Sequence, residues 1–235
     1  MMEVSPEVLW GGLATVSHLI AYFLYIKGAI WNQNIAPNEV TWAMWAYGTF
    51  VLFWIEWYQG AGWDLLWLPL VDAVLGLIVF GFAWSNLYKR YSAKRISMTE
   101  SARRMLSSIP RFDWLSFATD VTLSILFGLM TFYFTGDSMV AIVGGVIALM
   151  ISNATTFTSF APITRSTWFA PSDESWLPWT IWALSYVFLT IATVYSEGWG
   201  LWEAQFYIYP VTNLIMHGLI GLFALGVLQR LFRAK

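Results

Sequence analysis

Apolar residues in this chain of 235 gather in long unbroken runs separated by short polar stretches. The runs show no period-two alternation of the kind barrel strands need. A hydrocarbon core of ~30 Å takes roughly 20 mostly apolar residues per helical crossing. Seven runs meet that length, at approximately 8 to 28, 40 to 59, 64 to 87, 114 to 135, 138 to 160, 177 to 196 and 205 to 229. In lipid the backbone must satisfy its own polar groups, which a continuous helix does. The pattern therefore predicts an all-α membrane protein with seven transmembrane helices.

Composition points the same way. Charged residues make up 11% and hydrophobic ones 58%, with mean hydropathy +0.61, whereas a soluble domain carries about a quarter charged residues. The absence of cysteine excludes disulfides and thiolate metal sites. The start, MMEVSPEVLW, lacks the basic region of a cleaved signal, so the first run is expected to stay as a span.

Charge then orients the spans. Lys27 falls at the end of the first run, toward its connection to the second; Lys89, Arg90, Lys94, Arg95, Arg103, Arg104 and Arg111 follow the third; Arg165 follows the fifth; Arg230, Arg233 and Lys235 follow the seventh. With seven crossings all of these fall on one side. The other side receives Glu3, Glu7, Asp64, Asp137, Glu197 and Glu203. Basic residues favour the cytoplasm, which predicts a plasma (inner) membrane protein with its N-terminus outside and its C-terminus cytoplasmic. Within the long connection, Ala102, Met105, Leu106 and Ile109 share one helical face opposite Arg103 and Arg104. That segment reads as an amphipathic helix on the anionic leaflet, with partner docking as the alternative.

The chain also repeats itself. "APNEVTWAMWAYG" from Ala36 and "SDESWLPWTIWALS" from Ser172 align Trp42 with Trp179 and Trp45 with Trp182. One span earlier, "SHLIAYF" sits opposite "SNATTFT", pairing His18 with Asn153. One span later, "PLVDAVLG" sits opposite "PVTNLIMH", pairing Asp72 with Asn213. The offsets of 135, 137 and 141 drift only as loop lengths allow. Two three-helix units follow, over 8–87 and 138–230, separated by a basic connection over 88–112 and a linker crossing over 113–135. The single linker crossing lets both units enter from the same side, giving a parallel repeat about an axis along the membrane normal.

This three-plus-one-plus-three plan, with a polar lead into a tryptophan-bearing second helix of each unit, resembles the SWEET sugar transporters, the PQ-loop transporters and the vitamin transporters related to them. "YIKGAIWNQNIAPNEVTWAMWAYG" is more closely similar to the opening of prokaryotic PQ-loop-like membrane proteins, and "APITRSTWFAPSDESWLPW" continues the likeness. The resemblance covers roughly residues 10 to 228. The chain departs from the pattern in having no Pro-Gln dipeptide and no proline midway along its first, second, fifth and sixth runs. The resemblance implies an alternating-access carrier and places Asp72 and Asn213, on the third helix of each unit, in a central pocket.

Ionisable groups within a bilayer usually face a cavity or a partner. Asp72 lies nine residues past Trp63, ~14 Å of helix, and so near mid-membrane. A buried interhelical hydrogen bond is its alternative role. His18 is positioned to meet Asp72, and His217 lies one turn beyond Asn213. No further ligands accompany the two histidines at metal-site spacing, so no metal is expected. Trp45 and Trp182, one turn deeper than Trp42 and Trp179, are candidates to stack on a ring-bearing solute; interfacial anchoring is the general expectation for the tryptophans. Asp120 reads as a packing partner on the linker helix, Glu56 as an acid that snorkels to the outer surface or rims an outer gate. Gly76, Gly144, Gly145, Gly218 and Gly221 read as points of close helix approach.

These residues predict a membrane carrier for a small polar solute, sugar-, nucleoside- or vitamin-like, with Asp72, Asn213, His18, Asn153, Trp45, Trp182 and His217 as its substrate-binding residues. A non-transporting sensor or scaffold is the alternative. No nucleophile, base and orienter stand out at recognisable spacing, so no enzyme, no cofactor and no nucleic-acid partner is expected. The seventh run has no lysine to hold retinal. Its partners would be the solute and the lipid bilayer, and small residues on helix faces would permit a homo-oligomer.

Overall fold

A computed structural model describes residues 5–32, 34–58, 63–92, 98–133, 139–198 and 204–227. Of the charged residues singled out above, Glu3, Lys94, Arg95, Asp137, Glu203, Arg230, Arg233 and Lys235 lie outside these, as do the side chains of Glu56, Asp64 and Glu197 and the surroundings of Gly144 and Gly145.

Most of the described residues are helical, with no strand among them. In chain order the helices are α1 (Pro6–Ile26), α2 (Glu39–Tyr58), α3 (Trp63–Ser92), α4 (Met98–Ser108), α5 (Arg111–Tyr133), α6 (Met139–Phe169), α7 (Trp176–Glu197) and α8 (Ala204–Ala224). All but the 11-residue α4 run for 20 to 31 residues. Among the described residues, four stretches are long and apolar enough to cross a membrane: Pro6–Asn32, Leu68–Arg90, Arg111–Met130 and Trp176–Ser196.

The long helices form a ring. Around it, α1 packs on α7, α7 on α8, α8 on α6, α6 on α5, α5 on α2 and α2 on α3, and a narrower α3 to α1 contact closes the circle. The outer surface carries large apolar side chains such as Leu13, Ile20, Leu77, Leu115, Met150 and Leu184. Polar residues occupy the interior: His18, Asp72, Asn213 and His217 are all buried. That inversion of the soluble pattern is what lipid as the outer solvent calls for.

Local sequence explains several joints. Asn38 caps α2, its Oδ1 accepting from Thr41 N at 2.9 Å, which accounts for the Pro-Asn lead of the repeated segment. Prolines lie inside three helices, at Pro69 in α3, Pro162 in α6 and Pro210 in α8. Near the α6 proline, Ile163 N donates across to Thr41 Oγ1 on α2 at 3.1 Å, so a neighbouring helix supplies an acceptor where the proline disturbs the ladder. Gly76 brings α3 against the backbone of Ala46 on α2, and Gly221 brings α8 against Trp179 and Thr180 on α7. Nothing lies within 4 Å of where a Cβ would stand at Gly218, so that glycine marks no close approach.

One expectation changes in detail. The apolar face of α4 does not lie free for lipid: Met105 is buried, and Ile109, just past the helix, joins Val40 and Met44 in a small core with Trp84 and Phe117. The helix is docked on the end of the bundle, leaving Arg103, Arg104 and Leu106 outward.

Candidate functional site

All seven long helices contribute to one central cavity. Its wall includes His18 and Tyr22 from α1, Trp45 and Thr49 from α2, Asp72 from α3 and Asp120 from α5. Opposite stand Ser159 from α6, Trp182 and Tyr186 from α7, and Asn213 and His217 from α8. The space open to water centres is about 90 Å³, enough to admit water. Six of the seven candidate residues named from sequence meet in this wall. Asn153 is buried on α6 but is not part of the lining.

Asp72 and His18 form the polar centre. His18 Nε2 lies 2.9 Å from Asp72 Oδ1, with both side chains almost fully enclosed. The approach is close but not aligned for an N–H···O hydrogen bond, so Oδ1 is left without an aligned donor. On the other side of the ring, His18 Nδ1 is 3.1 Å from Ser185 Oγ. Ser185 donates its only hydrogen to Trp182 O at 2.7 Å, so Nδ1 must donate to Ser185. With Nδ1 protonated, a neutral imidazole would turn a lone pair toward the carboxylate. A 2.9 Å approach of two acceptors is repulsive, so Nε2 carries a hydrogen as well and the two groups stand as an ion pair whose N–H lies off the line to Oδ1.

The order Asp72, His18, Ser185 matches that of a hydrolase relay, but its donation runs the other way. In such a relay the serine hydroxyl donates to the imidazole, whereas here its hydrogen is committed to a backbone carbonyl.

Asn213 and His217 sit one turn apart. Asn213 donates through Nδ2 to Tyr209 O at 3.0 Å, and His217 Nδ1 is 2.8 Å from Asn213 O. As that carbonyl is an acceptor, Nδ1 carries the hydrogen and Nε2 is the acceptor. Trp45 stacks on His217 with ring centroids 5.6 Å apart and donates through Nε1 to Ser159 Oγ at 3.1 Å. Trp182 Nε1, in contrast, is buried with no acceptor. Asp120 lines the cavity while accepting from Thr158 Oγ1 at 2.8 Å. No lysine or arginine is in the wall, and no cluster fit to hold a metal occurs among the described residues.

The shallower tryptophans are not interfacial anchors. Trp42 and Trp179 are fully enclosed and form a layer with Tyr25 just beyond the cavity. Trp42 Nε1 donates to Tyr25 OH at 3.2 Å, Tyr25 OH to Glu174 Oε1 at 2.9 Å, and Trp179 Nε1 to Glu174 Oε2 at 2.9 Å. Burial pushes the Glu174 carboxyl up to about 8, against the lowering effect of the two donated hydrogen bonds. On its far side Glu174 faces a second, polar hollow with Asn38, Glu39, Asn86, Arg90 and Asp173. This hollow opens at the end of the bundle that carries Arg90 and Arg165.

Sequence reasoning missed Glu174, Tyr25, Tyr22 and Tyr186. Glu174 is one of two adjacent acids, with Asp173, and nothing local in the sequence distinguishes them. The periodicity of the first run carried a signal for the tyrosines: His18, Tyr22 and Tyr25 recur at i, i+4 and i+7, one helix face. The chain matches no protein-family model, no curated protein and no solved structure.

Proposed function

We propose that this protein is a multi-pass carrier that moves a small polar solute across the plasma membrane by alternating access at the central cavity. The seven long helices are its crossings, in two parallel three-helix units joined by α5. The basic end of the bundle faces the cytoplasm.

The observation that supports this reading is the similar spacing of the aromatic rings contributed by the two repeated segments around the cavity. The register of the repeated segments equates Trp42 with Trp179 and Trp45 with Trp182. Ring centroids within each pair of neighbours are 4.9 Å for Trp42 and Trp45 and 5.1 Å for Trp179 and Trp182. The crossed contacts are 6.1 Å for Trp42 and Trp182 and 5.6 Å for Trp45 and Trp179. At the basic end Ala36 N donates to Asp173 O at 2.7 Å, and those two positions are also equated by the 137 offset. Equivalent atoms touch only near the axis that relates them. One helix pair follows suit: α2 lies on α3 as α7 lies on α8.

Carriers bind at such a repeat interface near mid-membrane and open it to each side by turns. The cavity has a closed floor, the layer of Trp42, Tyr25 and Trp179 fastened to Glu174, and beyond it a vestibule on the basic side. A sensor would need neither the vestibule nor the barrier.

Uptake into proteoliposomes, measured over a panel of sugars, nucleosides, vitamins and amines, tests the reading. A solute that accumulates with wild-type protein and fails to with Asp72→Ala and Asn213→Ala supports it. Well-folded protein that moves none of the panel sinks it.

A further inference from the structure

Two buried polar atoms of the cavity lack an aligned hydrogen-bond partner, and they are of opposite kinds. Asp72 Oδ1 is an acceptor with no aligned donor, and Trp182 Nε1 is a donor with no acceptor. Both residues are more than nine-tenths buried and both line the cavity. Native interiors rarely leave such groups unmatched, so together they outline what belongs between them: a cargo that donates to, or is positive toward, Asp72 and offers an oxygen to Trp182.

The rest of the wall narrows the chemistry. Its acids are Asp72 and Asp120, and apart from the two histidines it holds no basic group, neither lysine nor arginine, to answer an anion. The rings of Tyr22, Trp45, Trp182 and Tyr186 border the same space, and aromatic rings beside carboxylates are the surroundings in which ammonium groups are held.

We propose that the cargo is a small organic ammonium compound bearing a hydroxyl, an amino alcohol or its quaternary form. Its cation sits against Asp72 in place of the charged Nε2–H of His18, and its oxygen accepts from Trp182. The proposal rests on reading the cavity as the substrate site and makes the carrier an exchanger. When the ammonium binds, His18 gives up its Nε2 proton to water and stays neutral with Nδ1–H on Ser185, while Asp72 remains the counter-charge. One proton leaves for each cation that enters, and the charge in the cavity is unchanged. The other ionisable groups around the pair are Tyr22 on α1, Asp120 on α5, Tyr186 on α7 and Tyr209 and His217 on α8. None of them is a cation that would compete with the ammonium for Asp72 once His217 is neutral, as its bond to the Asn213 carbonyl allows.

Binding to detergent-solubilised protein tests this without any transport, so it can fail while the carrier reading stands, or hold while that reading fails. Choline, ethanolamine, tetramethylammonium, glucose and uridine are titrated by calorimetry in buffers of different ionisation enthalpy, which counts protons released. Choline and ethanolamine are expected to bind with release of one proton, and glucose and uridine not to bind. Trp182→Phe keeps the ring and removes the N–H; it should weaken choline about threefold to tenfold, the worth of one neutral hydrogen bond, and leave tetramethylammonium unchanged. Asp72→Asn should abolish proton release and weaken choline at least tenfold. The inference is overturned if no ammonium probe binds, if binding releases no proton, or if glucose or uridine binds instead. An equal effect of Trp182→Phe on choline and tetramethylammonium would overturn the assignment of the hydroxyl. Monodisperse elution of each variant guards against loss of fold as the cause.

Discussion

His18 Nε2 stands 2.9 Å from Asp72 Oδ1, and this contact crosses the narrow seam where α3 meets α1 and the ring of helices closes. Removing one partner of a buried ion pair costs about 3–5 kcal/mol, because the other charge is stranded. Asp72→Ala should therefore lower the thermal midpoint well below that of Asp72→Asn, whose amide still meets His18. In the double variant with His18→Ala the loss should be smaller than the sum of the two single losses. Strict additivity in thermal unfolding would show that the pair is not coupled.

Glu174 gives a pH dependence with a definite sign. In the packed structure its carboxyl is raised to about 8 from an ordinary 4.5, chiefly by burial. Protonation therefore favours the packed state. Its contribution is complete below about pH 4.5 and is lost as pH rises through about 8. Thermal stability should fall from pH 6 to pH 9 in the wild type, and the slope should flatten in Glu174→Gln, which stays neutral. Equal slopes in the two proteins would remove Glu174 as the source.

The same residue should govern access from the basic side. The chain has no cysteine, so Thr49→Cys in the cavity wall supplies a single probe for a membrane-impermeant maleimide. Ser107→Cys on the exposed surface of α4 serves as the reference for thiol reactivity. Glu174→Ala and Tyr25→Phe each remove a bond that fastens the aromatic floor, and labelling of the cavity cysteine from the basic side should rise severalfold relative to the reference. No change in either variant would mean the barrier lies elsewhere.

Arg165 holds Asp113 through two parallel bonds of 3.0 Å, joining α6 to the start of α5. The Arg165 side chain is 32% exposed and that of Asp113 only 2%, which makes the pair asymmetric. Arg165→Ala strands a buried carboxylate and should cost more than Asp113→Ala, after which the guanidinium can turn to water. Arg165→Lys keeps the charge but loses the fork, so it should fall between wild type and Arg165→Ala. Thermal midpoints of the three variants give the order directly.

Gly76 sets the distance between α3 and α2. A Cβ there would stand 3.3 Å from Ala46 Cα, a backbone atom with little freedom to yield. Gly76→Leu should force the two helices apart and cost about 1–3 kcal/mol or more. The same change at Gly81, where nothing lies within 4 Å, should be close to neutral. Comparable losses at both sites would point to a general intolerance of α3 to bulk.

Much of the site was legible before any tertiary information. Hydrophobic runs and the ordering of basic residues came from the solvent, since lipid leaves so few places for a charge that each intramembrane Asp or His announces itself. The repeat register then paired Asp72 with Asn213 and Trp45 with Trp182, and each of these pairs lines the one cavity. Asn153, paired with His18 by the same register, does not line it, because a repeat equates backbone positions and leaves the direction of each side chain to local packing.

What the sequence by itself determined, then, is which segments are helical and apolar and which polar residues lipid would force inward, because both follow from the chain's interaction with its solvent. Only the tertiary structure decided the rest. It closed α1 on α7, brought His18 between Asp72 and Ser185, and turned Trp42 and Trp179 from expected surface anchors into the floor of the cavity. It also lifted Glu174 out of a run of loop acids into a buried bond with Tyr25, 149 positions away. Contacts of that kind depend on how rings and helices pack in three dimensions, and no local pattern along the chain encodes them.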